Sequence, residues 1–274
     1  MQYIDLHVHT TASDGTLRPS EAVRYAKERG LSAIAITDHD ARAGIPEALA
    51  AGQELGLEVI PGIEISVDYN GRGIHILGYF IDHTAPSIDA RLQQLVAERN
   101  RRNRLVVQAM QSDGLPISME ALQEKFSDSI IGRPHFAAAL VELGLAENIR
   151  DAFDRYLNFG KKYFFKRTYL PIDNAFAAIL GAGGKAVIAH PFQYRFPEED
   201  LPQMIQIMKS AGAIGLECLY STYSPEQVAQ LRLLAARFDL CVTGGSDFHG
   251  SRKPQIALGE PPVPYELLEQ LRER

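Results

Sequence analysis

Nine residues of this 274-residue chain combine imidazole and carboxylate donors at turns and expected strand ends. His7 and His9 form a His-x-His pair after a short apolar stretch, and Asp14 sits in the turn beyond it. His39 follows Asp38. Glu64 stands in PGIEIS, His75 on an expected hairpin and His190 in AHP; Asp247 and His249 share SDFHG. Imidazole and carboxylate together, with no cysteine among them, suit Mn²⁺, Fe²⁺ or Zn²⁺. One ion takes roughly three or four protein ligands, so the set implies about two to three divalent ions. Any one of these histidines alone reads as a core residue, and His-x-His alone is weak because alternate strand residues share a face. The joint pattern has no such structural explanation. His83, in DHTAPS, fits no strand end and reads as a surface residue.

Charge then points to a substrate. Asp14, Glu64 and Asp247 offset only half the charge of three divalent ions, which leaves a site of about +3. A phosphate is the natural guest. Divalent ions polarise its oxygens, lower the pKa of a bridging water to make the nucleophile, and stabilise the leaving oxygen. The sequence singles out no general acid for that leaving group.

The positioning elements follow from periodicity. Tyr3–Leu6 and Ala33–Thr37 read as strands, the second a continuous apolar run of the kind buried on both faces. Pro19 and Ser20 open a helix with Ser20 as its N-cap, and Pro46 lies in the first turn of another that closes at Gly56. Val59–Ile60 starts a third strand, and Asn70-Gly71 marks a hairpin between Ile65–Tyr69 and Ile74–Phe80. Helices at Asn174–Leu180, Leu201–Ala211 and Pro225–Arg237 alternate with strands at Ala186–Ala189, Ile214–Leu219 and Leu240–Thr243. Such alternation implies a parallel sheet, and the number of strands a closed or distorted barrel. A β/α barrel gathers the C-terminal ends of its strands on one rim, where these donors would meet. From Ser87 to Tyr163 the chain reads as helices only: Ser87–Met110, Met119–Phe126, Pro134–Leu143 and Ile149–Leu157. We therefore expect a barrel in two parts, 1–86 and 164–274, carrying an all-helical insertion at 87–163.

Composition sets the limits. The length suffices for one barrel with a sizeable core; 46% hydrophobic and 23% charged residues are ordinary for a globular chain. A net charge of −6 argues against a general nucleic-acid coat protein. Cys218 and Cys241 lie in apolar runs and read as buried thiols. MQYIDLHVHT lacks the pattern of a signal peptide, and no window approaches ~18 apolar residues, so the expected location is the cytoplasm.

DLHVHTTASDGT, TDHD, PGIEIS, the lone His75, AHP and SDFHG together resemble the motifs of the PHP (polymerase and histidinol phosphatase) phosphoesterases. The resemblance covers residues 1–80 and 185–250 in order. It implies a distorted (β/α)7 barrel of TIM-barrel type with up to three ions. By it, His7, His9, Glu64 and Asp247 would hold one ion, and Glu64 would bridge to a second held by His75 and His190. Asp14, His39 and His249 would hold a third, and Asp247, His249 and His39 would serve catalysis. Some members carry His where this chain has Asp14, which favours a harder ion there. Mn²⁺ is the expected cofactor, with Zn²⁺ or Fe²⁺ as alternatives.

Within the insertion, Gly132-Arg133-Pro134-His135 opens a helix. Arg133 offers a planar, two-pronged grip on phosphate and the helix N-terminus adds partial positive charge. A similar GRPH segment occurs in one PHP branch, which resembles phosphatases of 3′,5′-bisphosphonucleotides and enzymes trimming RNA from its 5′ end. The substrate residues expected are Arg133, His135 and Arg195. Arg99, Arg101, Arg102 and Arg104 spread around the long helix and read as a solvated face. Lys161, Lys162, Lys166 and Arg167 flank Tyr163, Phe164 and Phe165, which either stack on a base or pack in the core. Glu217 either supports the site or serves the fold. The expected activity is removal of the 3′-phosphate from 3′,5′-bisphosphonucleotides. Rivals are 5′-3′ hydrolysis of short RNA and a histidinol-phosphate-type phosphatase. A non-enzymatic module with decayed ligands is disfavoured by the full donor set. Nothing implies a membrane or a stable protein partner.

Overall fold

The apolar runs form the strands they predict, in an order that bends the sheet back on itself. In the computed structural model, which describes residues 2–127, 129–167 and 169–274, β1 (Tyr3–Val8), β2 (Ala33–Ile36) and β3 (Glu58–Tyr69) run parallel. β4 (Arg72–Tyr79) turns back antiparallel to β3 through Asn70-Gly71. Both turn residues have positive φ, 51° and 78°, the conformation that a two-residue hairpin of this twist requires and that Asn and Gly adopt most easily. A two-residue strand, β5 (Leu170–Pro171), joins the far end of β3 at Val67 and Asp68.

The sheet continues through β6 (Lys185–Ile188), antiparallel to β4, then β7 (Gly215–Tyr220) and β8 (Cys241–Gly245) in parallel. The end of β8 returns to β1. Val8 bridges Phe248, and the His9 N–H donates to the Phe248 carbonyl at 2.9 Å. Gly245 makes this approach possible, since a Cβ there would stand 2.5 Å from the backbone nitrogen of His7. Strands β1, β2, β3, β4, β6, β7 and β8 thus form the distorted seven-stranded barrel, with β4 its one reversed stave. The other edge of β1 is capped by β9 (Val263–Pro264) at Tyr3 and Ile4.

Helices cover the outside. α1 (Pro19–Glu28) and α2 (Ile45–Leu55) bury Ala22, Val23 and Ala48 against Ile34 and Ile36 of β2. Ser20 is not the N-cap of α1. Arg18 holds that position, its N–H bonded to Glu21, because Pro19 fixes the first helical φ one residue earlier. Ser20 instead donates to Glu47 and ties α1 to α2. Ile4, Leu6, Ile60, Leu77, Tyr79 and Val187 form a single buried cluster among the strands.

α3 (Pro86–Ser112) has two packing halves. Ile88, Leu92 and Leu95 join the apolar layer around α7 (Ile172–Gly181). Val106, Val107 and Met110 join a separate cluster with α4 (Met119–Lys125) and α5 (Arg133–Glu142), centred on Phe136. Phe136 is fully buried, so its truncation would cost about 3–5 kcal/mol. Between the halves lie Arg99, Arg102 and Asn103, all buried. The solvated face expected there exists only at Arg101 and Arg104. The expected helix at Ile149–Leu157 is one α turn, α6 (Ile149–Ala152), followed by a π turn over Phe153–Leu157. Tyr163 packs in the same cluster.

After β6 come α8 (Leu201–Ala211), α9 (Pro225–Arg237) and a last helix, α10 (Glu266–Glu273), which the sequence reading missed although Leu268 and Leu271 are fully buried. Cys218 and Cys241 are buried and unpaired with each other. No helix among the described residues is long and apolar enough to cross a membrane.

Candidate metal centre

Each donor is delivered by a strand end or a local break in the barrel. The register of β1 slips between Asp5 and Val8, and His7 and His9 leave it fully buried. The loop beyond is held by Asp38, which accepts from the Thr10 N–H, the Thr10 hydroxyl and the Ser13 hydroxyl at 2.8, 2.7 and 2.5 Å. That loop presents Asp14. Glu64 lies inside β3, just past the last β2 pairing at Pro61, where it bridges His39. His75 faces in from β4. His190 and Asp247 lie two residues beyond β6 and β8 at φ of 22° and 58°, left-handed values that are strained for residues with a Cβ and that concentrate at functional sites.

Glu64 is the hub. Its Oε1 lies 2.8 Å from His75 Nδ1 and 2.8 Å from His190 Nε2, and its Oε2 lies 2.8, 3.3 and 3.4 Å from His39, His9 and His7. Asp247 Oδ1 faces His9 at 3.2 Å and His249 at 3.4 Å. Asp14 Oδ1 faces His249 at 3.3 Å and His9 at 3.9 Å. All nine expected donors therefore converge. Four overlapping groups have mutually close ligand atoms: His9, Asp14, His39 and His249; His7, Glu64 and His190; His7, His9 and Asp247; His39, Glu64 and His75.

The arrangement fits cations better than direct hydrogen bonds. His39 Nδ1, His75 Nδ1 and Glu64 Oε2 are buried and close, yet none has a partner in hydrogen-bond geometry. Lone pairs aimed at a common point behave this way. Burial, reinforced by Lys253 and His9, brings His249 down to about 4. Burial likewise brings His75 down to about 4, against the pull of Glu64. Both rings are neutral at physiological pH, as ligands must be. Burial opposes the charge of Glu64, but His39 and His75 hold its carboxyl well below the ordinary range. The His249 Nδ1–H donates to the Asp247 carbonyl at 2.8 Å, which leaves Nε2 for the cluster.

A supporting layer fixes the donors. Glu217 touches His7 Nδ1 and the His190 N–H, the placement expected of a residue that supports the site. Tyr220 and Lys253 donate to Asp247 Oδ2 at 2.6 and 2.7 Å. Tyr194 accepts from the His75 N–H at 2.8 Å and donates to the Ala189 carbonyl at 3.1 Å, joining β4 to the end of β6. Sequence reasoning missed Tyr194, Tyr220 and Lys253. Only Lys253 carried a local signal, six residues after Asp247.

The insertion reaches the same rim. The Ser129 hydroxyl donates to the Thr11 carbonyl at 2.7 Å. The Gly132 N–H donates to His135 Nδ1 at 2.9 Å, so the neutral ring carries its proton on Nε2. Burial, and then Arg252, hold His135 at about 3. Arg252 Nη1 lies 3.1 Å from that Nε2 and also donates to the Asp14 carbonyl at 2.9 Å. With its proton on Nε2, His135 meets Arg252 donor to donor, and the Asp14 carbonyl is the acceptor that holds Arg252 there. Arg133 is half-buried, its guanidinium 5.9 Å from the Phe153 ring centre. Arg195 is exposed after the turn that follows His190, and among the described residues its side chain makes no hydrogen bond or ion pair. His83 is half-buried and outside the cluster.

The PHP domain family matches residues 5–172. A 5′-3′ exoribonuclease of Haemophilus influenzae is 39% identical over 89% of this chain and 89% of its own length. A 3′,5′-nucleoside bisphosphate phosphatase of Chromobacterium violaceum is 34% identical over 91% of this chain and 88% of its own. A solved structure from Bifidobacterium adolescentis, provisionally described as a metal-dependent phosphoesterase, superposes with a TM-score of 0.89 at 35% identity, covering 98% of this chain and 95% of that one. With a barrel of this topology and its donors gathered at one rim, the chain belongs to the PHP domain family of metal-dependent phosphoesterases.

Proposed function

We propose that this protein removes the 3′-phosphate of 3′,5′-bisphosphonucleotides in the cytoplasm, giving the nucleoside 5′-monophosphate and phosphate. The observation that carries this reading is the His135–Arg252 pair. Both groups are hydrogen-bond donors, 3.1 Å apart, on a chain of contacts that ends at Asp14. A phosphate oxygen would accept from both His135 Nε2 and Arg252, and a phosphoryl group held there would lie beside the metal ligands.

The nine donors would hold two to three divalent ions, Mn²⁺ first among them, in the sets His7–His9–Glu64–Asp247, Glu64–His75–His190 and Asp14–His39–His249. Such ions supply a water of lowered pKa and neutralise charge that develops on the phosphoryl oxygens. The protein's own part is approach and orientation. Side-chain exposure is 17% at His39 and 26% at His75, against at most 9% at the other ligands. The cluster therefore opens on that side, and substrate enters over those two rings. His39, Asp247 and His249 face the reacting group, with Tyr220 and Lys253 restraining Asp247. Arg133 and the exposed Arg195 meet the outer parts of the substrate.

A second reading, 5′-3′ hydrolysis of short RNA, is favoured by the name of the Haemophilus influenzae relative. The same rim accepts a diester if the open side admits a second nucleotide. Values of kcat/KM for adenosine 3′,5′-bisphosphate, 3′-AMP, 5′-AMP, histidinol phosphate and a short 5′-phosphorylated RNA decide among them. The bisphosphate should lead by at least about tenfold, the worth of one charged hydrogen-bond partner. Equal rates on 3′-AMP and the bisphosphate would refute the reading, and a lead for histidinol phosphate would replace it.

A further inference from the structure

The three carboxylates of the cluster are presented in different ways. Both oxygens of Glu64 face histidines. Among the described residues Asp14 receives one hydroxyl, that of Ser13, at 3.4 Å and on the oxygen that also faces His249. Asp247 is divided. Its Oδ1 lies 3.2, 3.4 and 3.6 Å from His9, His249 and His7. Its Oδ2 takes the Tyr220 hydroxyl at 2.6 Å and the Lys253 ammonium at 2.7 Å. A carboxylate oxygen offers about two acceptor positions, so these two donors fill Oδ2.

The donors come from different elements and differ in kind. Tyr220 ends β7, is buried, and packs against the rings of Tyr223 and His190 at 4.9 and 5.4 Å between centres. Lys253 follows the short turn after His249, and its side chain is 35% exposed. Among the described residues it is the one lysine or arginine paired with a carboxylate of the cluster. An ammonium at that place repels the ions that Asp247 would hold, so its charge alone works against the site. Its contribution is the second bond to Oδ2, which keeps that oxygen directed away from the histidines.

We propose that Tyr220 and Lys253 make Asp247 a one-oxygen ligand and thereby set ion choice, favouring an ion such as Mn²⁺ over Ca²⁺. Ca²⁺ takes roughly six to eight oxygens and draws on carboxylates that chelate through both of theirs. An imidazole-rich cluster has few oxygens to give, and with Oδ2 occupied Asp247 adds one in place of two. An ion content with imidazole and about six ligands or fewer loses little by this. The inference rests on the assignment of Asp247 as a ligand proposed above and is independent of which phosphate ester is the substrate.

The test is equilibrium titration of the full chain, freed of ions by chelation, with Mn²⁺ and separately with Ca²⁺. The variants are Tyr220→Phe, Lys253→Met and the two combined, each checked by melting temperature. Loss of the ammonium should strengthen both ions to the same extent, because the repulsion is common to them. The ratio of the two affinities therefore isolates the effect of freeing Oδ2. In the double variant it should shift toward Ca²⁺ by about tenfold or more, the scale on which contacts behind a ligand act, and each single variant should shift it less in the same direction. Tyr220→Phe changes no charge and carries the test if the double variant does not fold. An unchanged ratio in the folded variants, with both ions gaining equally on loss of Lys253, would overturn the proposal and leave Lys253 with an effect of charge alone. Asp247→Asn tests the assignment beneath it and should weaken Mn²⁺. If Asp247→Asn bound both ions as wild type does, Asp247 would not be a ligand and the proposal would fall with it. Weakened binding in Asp247→Asn beside an unchanged ratio in the other variants would remove the role of Tyr220 and Lys253 and keep Asp247 as a ligand.

Discussion

Glu217 Oε1 lies 2.9 Å from His7 Nδ1, and neither side chain is exposed to solvent. Glu217 Oε2 also accepts the His190 N–H at 2.8 Å. One carboxylate on β7 therefore orients two donors that enter from β1 and β6. With Nδ1–H directed at Glu217, a His7 that gives up its second proton to a bound ion would present the lone pair of Nε2, the arrangement that fixes a metal-binding tautomer. Glu217→Gln keeps the shape and removes the charge. We expect it to weaken divalent-ion binding by about 10- to 100-fold, read by equilibrium titration with Mn²⁺. An unchanged affinity would make Glu217 a core residue only.

The donors were legible in the sequence because each sits in a short local motif beside a strand end, and strand ends can be read from apolar runs. His75 and Glu64 were legible for the same reason, although Glu64 lies within a longer strand than expected. The supporting contacts were not. Tyr194, Tyr220 and Glu217 act on residues 119, 27 and 210 positions away, and no local pattern announces such pairs. The α3 arginines show a different failure. Arg99 and Arg102 share a helical face with Leu95 and Val106, so the spacing did mark them as inward-facing. Four arginines in six residues obscured that face and favoured a solvated reading. Two-residue strands such as β5 and β9 are too short to show a period.

The cluster geometry separates the roles of two carboxylates. Glu64 touches five histidines within 3.4 Å, whereas among the described residues Asp14 has two within 4 Å, His249 and His9. Wild type should bind two to three Mn²⁺ per chain by elemental analysis, and chelation should abolish phosphoester hydrolysis. Glu64→Ala should lose at least two ions and all turnover, since its carboxylate is shared between two proposed sites. Asp14→Ala should lose one ion and recover part of its activity in excess Mn²⁺. Wild-type protein that binds one ion or none would end the cluster model, and full occupancy in Asp14→Ala would remove Asp14 from the ligands.

Asp40 makes a prediction about stability. Burial opposes its charge, but Arg167 and Arg99 outweigh that cost and hold the carboxyl well below its ordinary value. It also accepts the Ser66 N–H at 2.9 Å, at a backbone φ of 52°. Asn tolerates that left-handed conformation, so Asp40→Asn isolates the loss of charge. Leaving two buried guanidiniums unpaired should cost about 3–5 kcal/mol, measured by urea unfolding. Because the folded value is depressed, the wild-type advantage should be full at neutral pH and fade as pH drops below the unfolded value of about 3.9. A variant as stable as wild type at pH 7 would show that the Asp40 pairs add nothing net.

Arg133 separates binding from folding. Its guanidinium has no carboxylate partner among the described residues, and its one ring contact, with Phe153, is long at 5.9 Å. Such a contact at a half-exposed site contributes about 0.5–1 kcal/mol, so Arg133→Ala should lower the melting temperature by only a few degrees. Its loss from the substrate is a different matter. A charged hydrogen bond to phosphate is worth about 1.5–3 kcal/mol, roughly tenfold to over a hundredfold in kcat/KM. We expect that loss on adenosine 3′,5′-bisphosphate with metal content intact, and most of it in KM if the contact is made equally to substrate and transition state. A fall confined to kcat would move Arg133 to the reacting phosphoryl group. Wild-type kinetics in a folded Arg133→Ala would remove it from the substrate altogether and leave His135 and Arg252 to carry phosphate recognition.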